Sequence, residues 1–133
     1  MILGIGTDIA RIERFEAAVV RHGPRFAQRI LGPKELLRYP HAPRPSAYLA
    51  KRFAAKEAWV KALGTGLRQG MRWTEIEVVN DALGRPHIAL SGEALRLAGE
   101  AGMSRCHLSL SDESDVVVAF VVIEAGDVSR RPD

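Results

Sequence analysis

The sequence predicts an α+β fold in which a largely antiparallel sheet packs against one long helix and several shorter helices. The 133-residue chain has the length of one compact domain. One strand pattern comes first, helical patterns follow, and the second half then reads strand–strand–helix–strand–strand rather than as the regular alternation of a parallel sheet. Apolar residues make up 47% and charged residues 26%, which is ordinary for a globular protein. We expect one domain over 1–125 and a polar, disordered tail over 126–133.

The first half begins with a strand and continues with helices. Residues 2–9 are short, apolar and rich in β-branched side chains, and Gly4 and Gly6 leave room for another backbone or a ligand to come close. A helical period over 10–22 stops at the Gly-Pro pair that follows it. Two shorter helices are expected over 24–30 and 34–39.

A long helix is predicted over 47–63. The three prolines of 40–45 exclude regular structure before it, and Ser46 is a candidate cap for its first turn. Gly64 follows the last helical residue, a position where glycine commonly ends a helix.

The second half contains two predicted hairpins with a helix between them. After a glycine-containing loop over 64–70, Ile76 and Val78 share one face of a strand, and Ser91 is a candidate cap for the helix. The last strand is apolar on both faces, so we expect it to be central. The predicted strands are 73–80, 86–90, 105–111 and 116–124, and the helix is 92–101.

Composition excludes several classes of protein. The net charge of +3 is far below the basic footprint of a dedicated nucleic-acid binder. The single cysteine, Cys106, excludes a disulfide within the chain and argues against a cysteine metal site. The first ten residues do not read as a signal peptide, and the longest apolar run, 116–123, is far shorter than the roughly 20 residues of a membrane span. We therefore expect a soluble cytoplasmic protein that binds neither nucleic acid nor membrane.

Three residues stand out as candidates for chemistry. Glu57 and Lys61 are four apart in the long helix and share a face, although the spacing alone favours an ordinary salt bridge, and a functional role needs further groups from elsewhere. Asp8 ends the first strand, where it can hold a hard cation or simply cap the following helix. If the strand packs beside the long helix, Asp8 and Glu57 form a sparse Mg²⁺ site and Lys61 can neutralise phosphate oxygens. Such a site suits transfer at a pyrophosphate.

Two further groupings are polar. One lies on a single face of a predicted strand, which is either solvated or lined by a ligand; its members are His107, Ser109 and Ser111. The other is a run of arginines near Asp8, which is either a solvated helix face or a docking surface for an acidic partner. Its members are Arg11, Arg14, Arg21, Arg25 and Arg29.

Several stretches together resemble the bacterial holo-(acyl-carrier-protein) synthases, the small trimeric class of 4′-phosphopantetheinyl transferases. They occur in the family's order over about 120 residues, and the KEAxxKAxGTG pattern is the most specific of them. The matching stretches are GIGTDIARIERF at 4–15, FAQRILGPKEL at 26–36, RFAAKEAWVKALGTG at 52–66, HLSLSD at 107–112 and VVVAFVVIE at 116–124.

The resemblance implies an activity and the roles of the three central residues. Phosphopantetheine would pass from coenzyme A to a serine of an apo acyl carrier protein in fatty acid biosynthesis, with release of adenosine 3′,5′-bisphosphate. Asp8 and Glu57 would be Mg²⁺ ligands, and Lys61 would contact the coenzyme A phosphates as part of the catalytic set. Glu57, or water near the metal, would take the serine proton.

The resemblance also implies a homotrimer with coenzyme A between subunits. The strands around 107–112 would belong to a neighbour's site, and the arginines would receive the acidic carrier protein. The implied cofactor-side residues are Lys61, Gly64, His107, Ser109 and, as a weaker candidate for the 3′-phosphate, Arg44. The implied docking residues are Arg14, Arg21 and Arg25. Asp112 stands where many members have a histidine, so the role of that histidine is not transferred to it.

Two other classes of function stay open on the residues alone. A non-catalytic adaptor that docks an acidic protein would not need Asp8 or Glu57. A weak nucleic-acid binder is disfavoured because aromatics are only 6% of the chain and 16 acidic residues nearly balance 19 basic ones.

Overall fold

The computed structural model describes residues 1–67 and 70–126. The predicted tail at 126–133 lies outside the described residues except for Gly126, and so do two positions of the predicted glycine loop. The helices are α1 (Ile12–His22), α2 (Pro24–Ile30), α3 (Pro33–Arg38), α4 (Pro45–Leu63) and α5 (Gly92–Glu100). The strands are β1 (Ile2–Arg11), β2 (Ile76–Asn80), β3 (Pro86–Leu90), β4 (Met103–Asp112) and β5 (Val116–Ala125). Short 3₁₀ helices cover Tyr39–His41 and Trp73–Glu75.

The strands form two antiparallel sheets, which confirms the predicted fold class. In the first sheet the order is β1-β5-β4, with both pairs antiparallel. The second is the β2-β3 hairpin. The prediction that the last strand is central is also confirmed, because β5 pairs with a strand on each side.

The three-stranded sheet has one covered face and one open face. On the covered face, Val117, Ala119, Val121 and Ile123 of β5 are fully buried. The alternate side chains of the sheet lie on the other face and are exposed. They include Ile5, Ile9, Val118 and Phe120, which are 40% to 68% exposed. The open face is therefore largely apolar along β1 and β5 and polar along β4, and the isolated chain leaves it in water.

The covered face packs on α4, and two glycines set the spacing. A Cβ on Gly4 would lie 1.8 Å from the carbonyl oxygen of Ala62, and one on Gly6 would lie 1.9 Å from that of Ala58. Only a strand without side chains at these positions can lie so close to the helix backbone. Gly4 and Gly6, which were predicted to leave room for a close approach, thus allow β1 to pack directly against α4.

Beneath α4 lies a buried ion pair that joins five elements of the fold. Lys56 and Glu35 are 0% and 1% exposed, with Lys56 Nζ 2.6 Å from Glu35 Oε1. Lys56 also donates to the carbonyls of Ile30, at 2.5 Å, and Trp73, at 3.0 Å. Glu35 in turn accepts from the backbone N–H of Val78 at 3.0 Å. All three protons of the ammonium have acceptors, so the pair fixes α2, α3, the 3₁₀ helix at Trp73 and the middle of β2 against α4.

Several predicted boundaries and caps are wrong in detail. The helix α4 starts at Pro45 without a side-chain cap, so Ser46 does not cap it. Residues 73–75 form a 3₁₀ turn, and the predicted strand at 73–80 begins only at Ile76. Ser91 makes no cap bond to α5; the carboxylate of Glu75 accepts from the first N–H groups of that helix instead. Caps supplied by a distant residue leave no local pattern in the sequence.

Candidate functional site

The contact between β1 and α4 brings Asp8, Glu57 and Lys61 together. Lys61 Nζ lies 3.1 Å from Asp8 Oδ1 and donates to the carbonyl of Thr7 at 3.0 Å. Asp8 points to the α4 side of the sheet, since its strand partner is the buried Ala119. Glu57 precedes Ala58, which touches β1, and Lys61 precedes Ala62, which also does. The two alanines that pack against β1 thus place the charged side chains of Glu57 and Lys61 at the edge of the contact between strand and helix.

The purely structural explanations of these residues, a helix cap for Asp8 and a salt bridge within α4 for Glu57 and Lys61, do not match the geometry. Asp8 does not cap α1, because that helix starts at Ile12 and has no side-chain cap bond at its N-terminus. Lys61 pairs with Asp8 across two elements, and no bond to Glu57 accompanies it among the described residues. Asp8 does not end its strand as predicted, because β1 continues to Arg11. An exposed ammonium, a carboxylate within the strand and a half-buried carboxylate on the helix therefore meet at one place.

The surroundings of Glu57 shift the pKa of its carboxyl. Burial raises the pKa of its carboxyl above the usual range, and the negative charge of Asp8 raises it further. The cations of Lys61 and Arg14 act in the opposite direction. A carboxylate pushed toward protonation by a second carboxylate is stabilised when a cation comes between them.

These residues fit a magnesium site of the sparse kind. Both carboxylates offer oxygen, which Mg²⁺ prefers, and Mg²⁺ is usually held by one or two carboxylates with substrate phosphates and water. Across residues 1–67 and 70–126, no group of three or more His, Cys, Asp and Glu side chains forms a denser metal site. The two carboxylates therefore suit a metal ion whose remaining coordination positions are filled by a substrate and water.

Next to the carboxylates is a shallow cleft of about 410 Å³. Glu57, Lys61 and Gly64 line it, with Val60, Gly66, Leu67 and Trp73. Gly64 adopts a left-handed conformation with φ 85° and ends α4 as predicted, its N–H donating to the carbonyls of Val60 and Lys61. Glycines at the rim keep the cleft open beside the ammonium of Lys61.

A second, larger depression of about 620 Å³ lies beside α1 and α2; we call it the arginine groove. Basic side chains surround it, namely Arg14, Arg21, His22, Arg25 and Arg29. Its floor is aromatic. Phe15 contacts Phe26 and Phe53 at ring distances of 6.0 and 5.6 Å. The three predicted docking arginines thus share one depression, whose rim is cationic and whose floor is apolar.

The structure does not bring the other predicted residues to the cleft. His107 and Ser109 pair with Val122 and Phe120, so they lie on the open face, opposite Asp8. The imidazole of His107 lies 2.6 Å from the carboxylate of Glu124, and this contact lowers the pKa of Glu124.

Arg44 is also remote from the cleft. It precedes α4 and donates to the carbonyl of Ser114 at 2.8 Å. Seventeen residues separate it from Lys61, a distance of roughly 25 Å along the helix. Asp112 lies on the helix side of the sheet and pairs with Lys51 at 3.4 Å. Within the described part of this chain, none of these residues meets the cleft.

Sequence reasoning missed two features of the site. Trp73 was placed in a strand, whereas it lines both depressions. The buried pair of Lys56 and Glu35 was not anticipated, although one signal was present. Lys56 lies four residues before the apolar Val60, on a helix whose alanines leave no wholly polar face.

Comparisons of the sequence and of the fold with known proteins point to the same family. Residues 4–121 match the model of the 4′-phosphopantetheinyl transferase superfamily. The holo-[acyl-carrier-protein] synthase of Halorhodospira halophila is 51% identical over 126 residues, which cover 95% of this chain and 100% of that protein. The crystal structure of holo-[acyl-carrier-protein] synthase from Neisseria meningitidis aligns with a TM-score of 0.89 at 49% identity, over 93% of this chain and 99% of that one.

A further solved structure carries a ligand. It is a holo-(acyl-carrier-protein) synthase from Bacillus anthracis in complex with coenzyme A (3′,5′-ADP). The alignment has a TM-score of 0.79 at 36% identity and covers 95% of this chain and 99% of that one. The similarity therefore extends over nearly the whole chain in both sequence and fold.

Proposed function

Because the chain belongs to the 4′-phosphopantetheinyl transferase superfamily, we propose that it transfers 4′-phosphopantetheine from coenzyme A to a serine of an apo acyl carrier protein. Adenosine 3′,5′-bisphosphate would be released, and the product would serve fatty acid biosynthesis in the cytoplasm. One observation of this chain carries the proposal. Two carboxylates and an exposed ammonium meet at the mouth of a cleft that is large enough to admit a phosphate chain.

Asp8 and Glu57 would hold Mg²⁺ in this proposal. The support is their oxygen chemistry, their electrostatic coupling and the raised pKa of Glu57, which a cation would relieve. The metal would neutralise the pyrophosphate oxygens of coenzyme A when it is bound. Lys61 would bind the remaining phosphate oxygens, because its exposed ammonium already lies beside Asp8.

The reaction exchanges one phosphorus–oxygen bond for another. The serine hydroxyl of the carrier attacks the phosphorus that bears the pantetheine arm. The bond from this phosphorus to the bridging oxygen breaks, and its electron pair leaves with adenosine 3′,5′-bisphosphate. Glu57, or a water beside it, would accept the serine proton. Positioning and charge neutralisation supply most of the catalysis in such transfers.

The arginine groove would receive the carrier protein. Three predicted docking residues, Arg14, Arg21 and Arg25, line it. Cationic rims steer acidic partners into place, and the aromatic floor offers apolar surface for a helix to bury.

The open face of the sheet would pack against other copies in a homotrimer. Its apolar side chains are exposed in the single chain, and His107 and Ser109 face away from the cleft of their own subunit. Both observations are explained if the face meets a second copy and brings these residues to that copy's coenzyme A. Sedimentation velocity tests this: we expect a trimer that Phe120→Glu dissociates, whereas Leu83→Glu, on an exposed turn, leaves it intact. A monomeric native chain would refute it.

The transfer itself is tested by mass spectrometry of the carrier. The protein is incubated with coenzyme A, Mg²⁺ and an apo carrier protein, and the added phosphopantetheine is measured. Asp8→Asn and Glu57→Gln should abolish the modification, whereas Glu93→Gln, a change of the same kind on the exposed face of α5, should not. A carrier that stays unmodified with every divalent metal would refute the function. A carrier that still binds tightly would then favour the adaptor.

Two further variants separate the substrates. Lys61→Ala should weaken coenzyme A binding by about 10-fold or more, the range of a lost charge-assisted bond. Arg14→Glu should raise KM for the carrier and leave KM for coenzyme A nearly unchanged. The same charge reversal at Arg85, which is exposed in the β2–β3 turn, is its control. If the two reversals act alike, docking is not at the arginine groove.

A further inference from the structure

Trp73 lies on the boundary between the two depressions. It lines the cleft together with Glu57 and Lys61, and it lines the arginine groove together with Arg14 and Phe53. Among the described residues no other side chain lines both. The indole is half-buried, so part of it is accessible. A molecule that spans both depressions would therefore lie against Trp73.

The ring is held in this place by two contacts. Phe53 of α4 packs edge-on against it, with ring centroids 5.3 Å apart and planes at 64°. The carbonyl of Trp73 accepts from the buried ammonium of Lys56 at 3.0 Å. Lys56 precedes Glu57 on the same helix, so the backbone of Trp73 is anchored one residue from a predicted metal ligand. The wall between the depressions is fixed relative to the carboxylates.

The proposed reaction needs two substrates to meet at this wall. The reacting oxygen and phosphorus must approach to about 3–3.5 Å, and a displacement of about 1 Å can lower the rate by about 100-fold. Aromatic side chains suit such a contact because they present a large rigid surface with only two rotatable bonds.

We propose that Trp73 is a substrate-positioning residue that contacts both substrates of the transferase. On the cleft side its indole packs against the apolar part of the pantetheine arm. On the groove side it packs against the carrier segment beside the acceptor serine. This inference rests on the proposed function, and it adds a residue to which the sequence assigned no role.

Tryptophan fluorescence tests the double contact without relying on turnover. The chain has two tryptophans, and Trp59 is 0% exposed, so acrylamide quenches mainly Trp73. We expect coenzyme A with Mg²⁺ to reduce the quenching. We expect the same, separately, of an apo carrier whose acceptor serine is replaced by alanine. Trp73→Phe should remove the accessible component and serves as the control.

Binding of each ligand is measured in parallel by calorimetry, which separates the outcomes. If both ligands bind but only one shields Trp73, the residue belongs to one site and the inference is wrong. If neither binds, the proposed function fails and the inference fails with it.

Kinetics provide the second test. Trp73→Ala should lower kcat by on the order of 10- to 100-fold, because it loosens the approach of the reacting atoms, and Trp73→Phe should restore most of the rate. Phe26→Ala and Leu67→Ala are matched controls, since each lines only one depression. Each control should mainly raise KM for its own substrate. A folded Trp73→Ala protein with the native kcat would overturn the inference.

Discussion

Replacing Gly6 by alanine tests whether the contact between β1 and α4 positions Asp8. The added Cβ would lie 1.9 Å from the carbonyl oxygen of Ala58, and 2.8 Å from the backbone nitrogen of Ala62. Ordinary contact begins near 3.4 Å, so strand and helix must separate by about 1.5 Å. Such overpacking costs about 1–3 kcal/mol of unfolding free energy.

The same separation of strand and helix should lower the transfer activity more than it lowers the free energy of unfolding. Asp8 is two residues from Gly6 on the same strand face, whereas Glu57 and Lys61 are on the helix. Moving the strand away therefore opens the gap between the two predicted metal ligands. A displacement of this size lowers the transfer rate by about 100-fold when catalysis depends on positioning. We expect the Mg²⁺ concentration at half-maximal rate to rise as well.

Urea unfolding and the carrier-modification assay measure the two effects. Gly99→Ala is the control: it lies in α5, and its Cβ would meet nothing within 4 Å. Because alanine is the better helix former, this variant should gain up to about 1 kcal/mol and keep native activity. The reasoning is refuted if Gly6→Ala matches the native protein in both stability and Mg²⁺ dependence.

The remaining predictions concern a buried ammonium and a partly buried thiol. Lys56→Met leaves the carboxylate of Glu35 buried without its cation, so urea unfolding should show a loss of about 3–5 kcal/mol. Lys51→Met removes a half-exposed pair and should cost at most about 1 kcal/mol; equal losses would contradict the buried role of Lys56. Burial raises the pKa of the Cys106 thiol from 9.0 to about 11. At pH 8 the folded thiol should therefore react with iodoacetamide about 100-fold more slowly than the urea-unfolded chain. Because the folded pKa exceeds the unfolded one, the thiol's contribution to stability is lost as pH rises from 9 toward 11; similar alkylation rates in both states would contradict the shift.

Local pattern predicted the proximity of the three candidate residues only on the condition that the first strand packs beside the long helix. Gly4 and Gly6 indicated a close approach to β1, and the four-residue spacing put Glu57 and Lys61 on one face of a helix. The structure confirms that the two elements pack together. The choice of partner could not be predicted: Lys61 bonds to Asp8, because the packing distance decides which carboxylate it reaches. Their roles as ligand and phosphate anchor stay predictions.

Other features depend on long-range packing that no local pattern shows. Both faces of β5 are apolar, so the sequence of β5 could not tell which of them meets α4. Alternation in β4 predicted a shared polar face for His107 and Ser109, but it could not show that Asp8 lies on the other side of the sheet. The Glu35–Lys56 pair spans 21 residues of sequence, and a lysine in a helix ordinarily indicates solvent. The position of Trp73 between the two depressions could not be predicted either, because it results from how α2 and α4 pack together.

The adjacent residues Lys56 and Glu57 have a consequence for how mutations in this chain would be read. Their side chains leave α4 in different directions, one into the dry interior and the other toward the cleft. A deep mutational scan that recorded both cellular abundance and transferase activity should separate them. Changes at Lys56 should deplete the protein itself, whereas changes at Glu57 should leave abundant but inactive protein. If only the loss of activity were recorded, substitutions at both positions would fail and the two residues would look like one motif. The abundance measurement would show that Lys56 is needed for stability and Glu57 for the reaction.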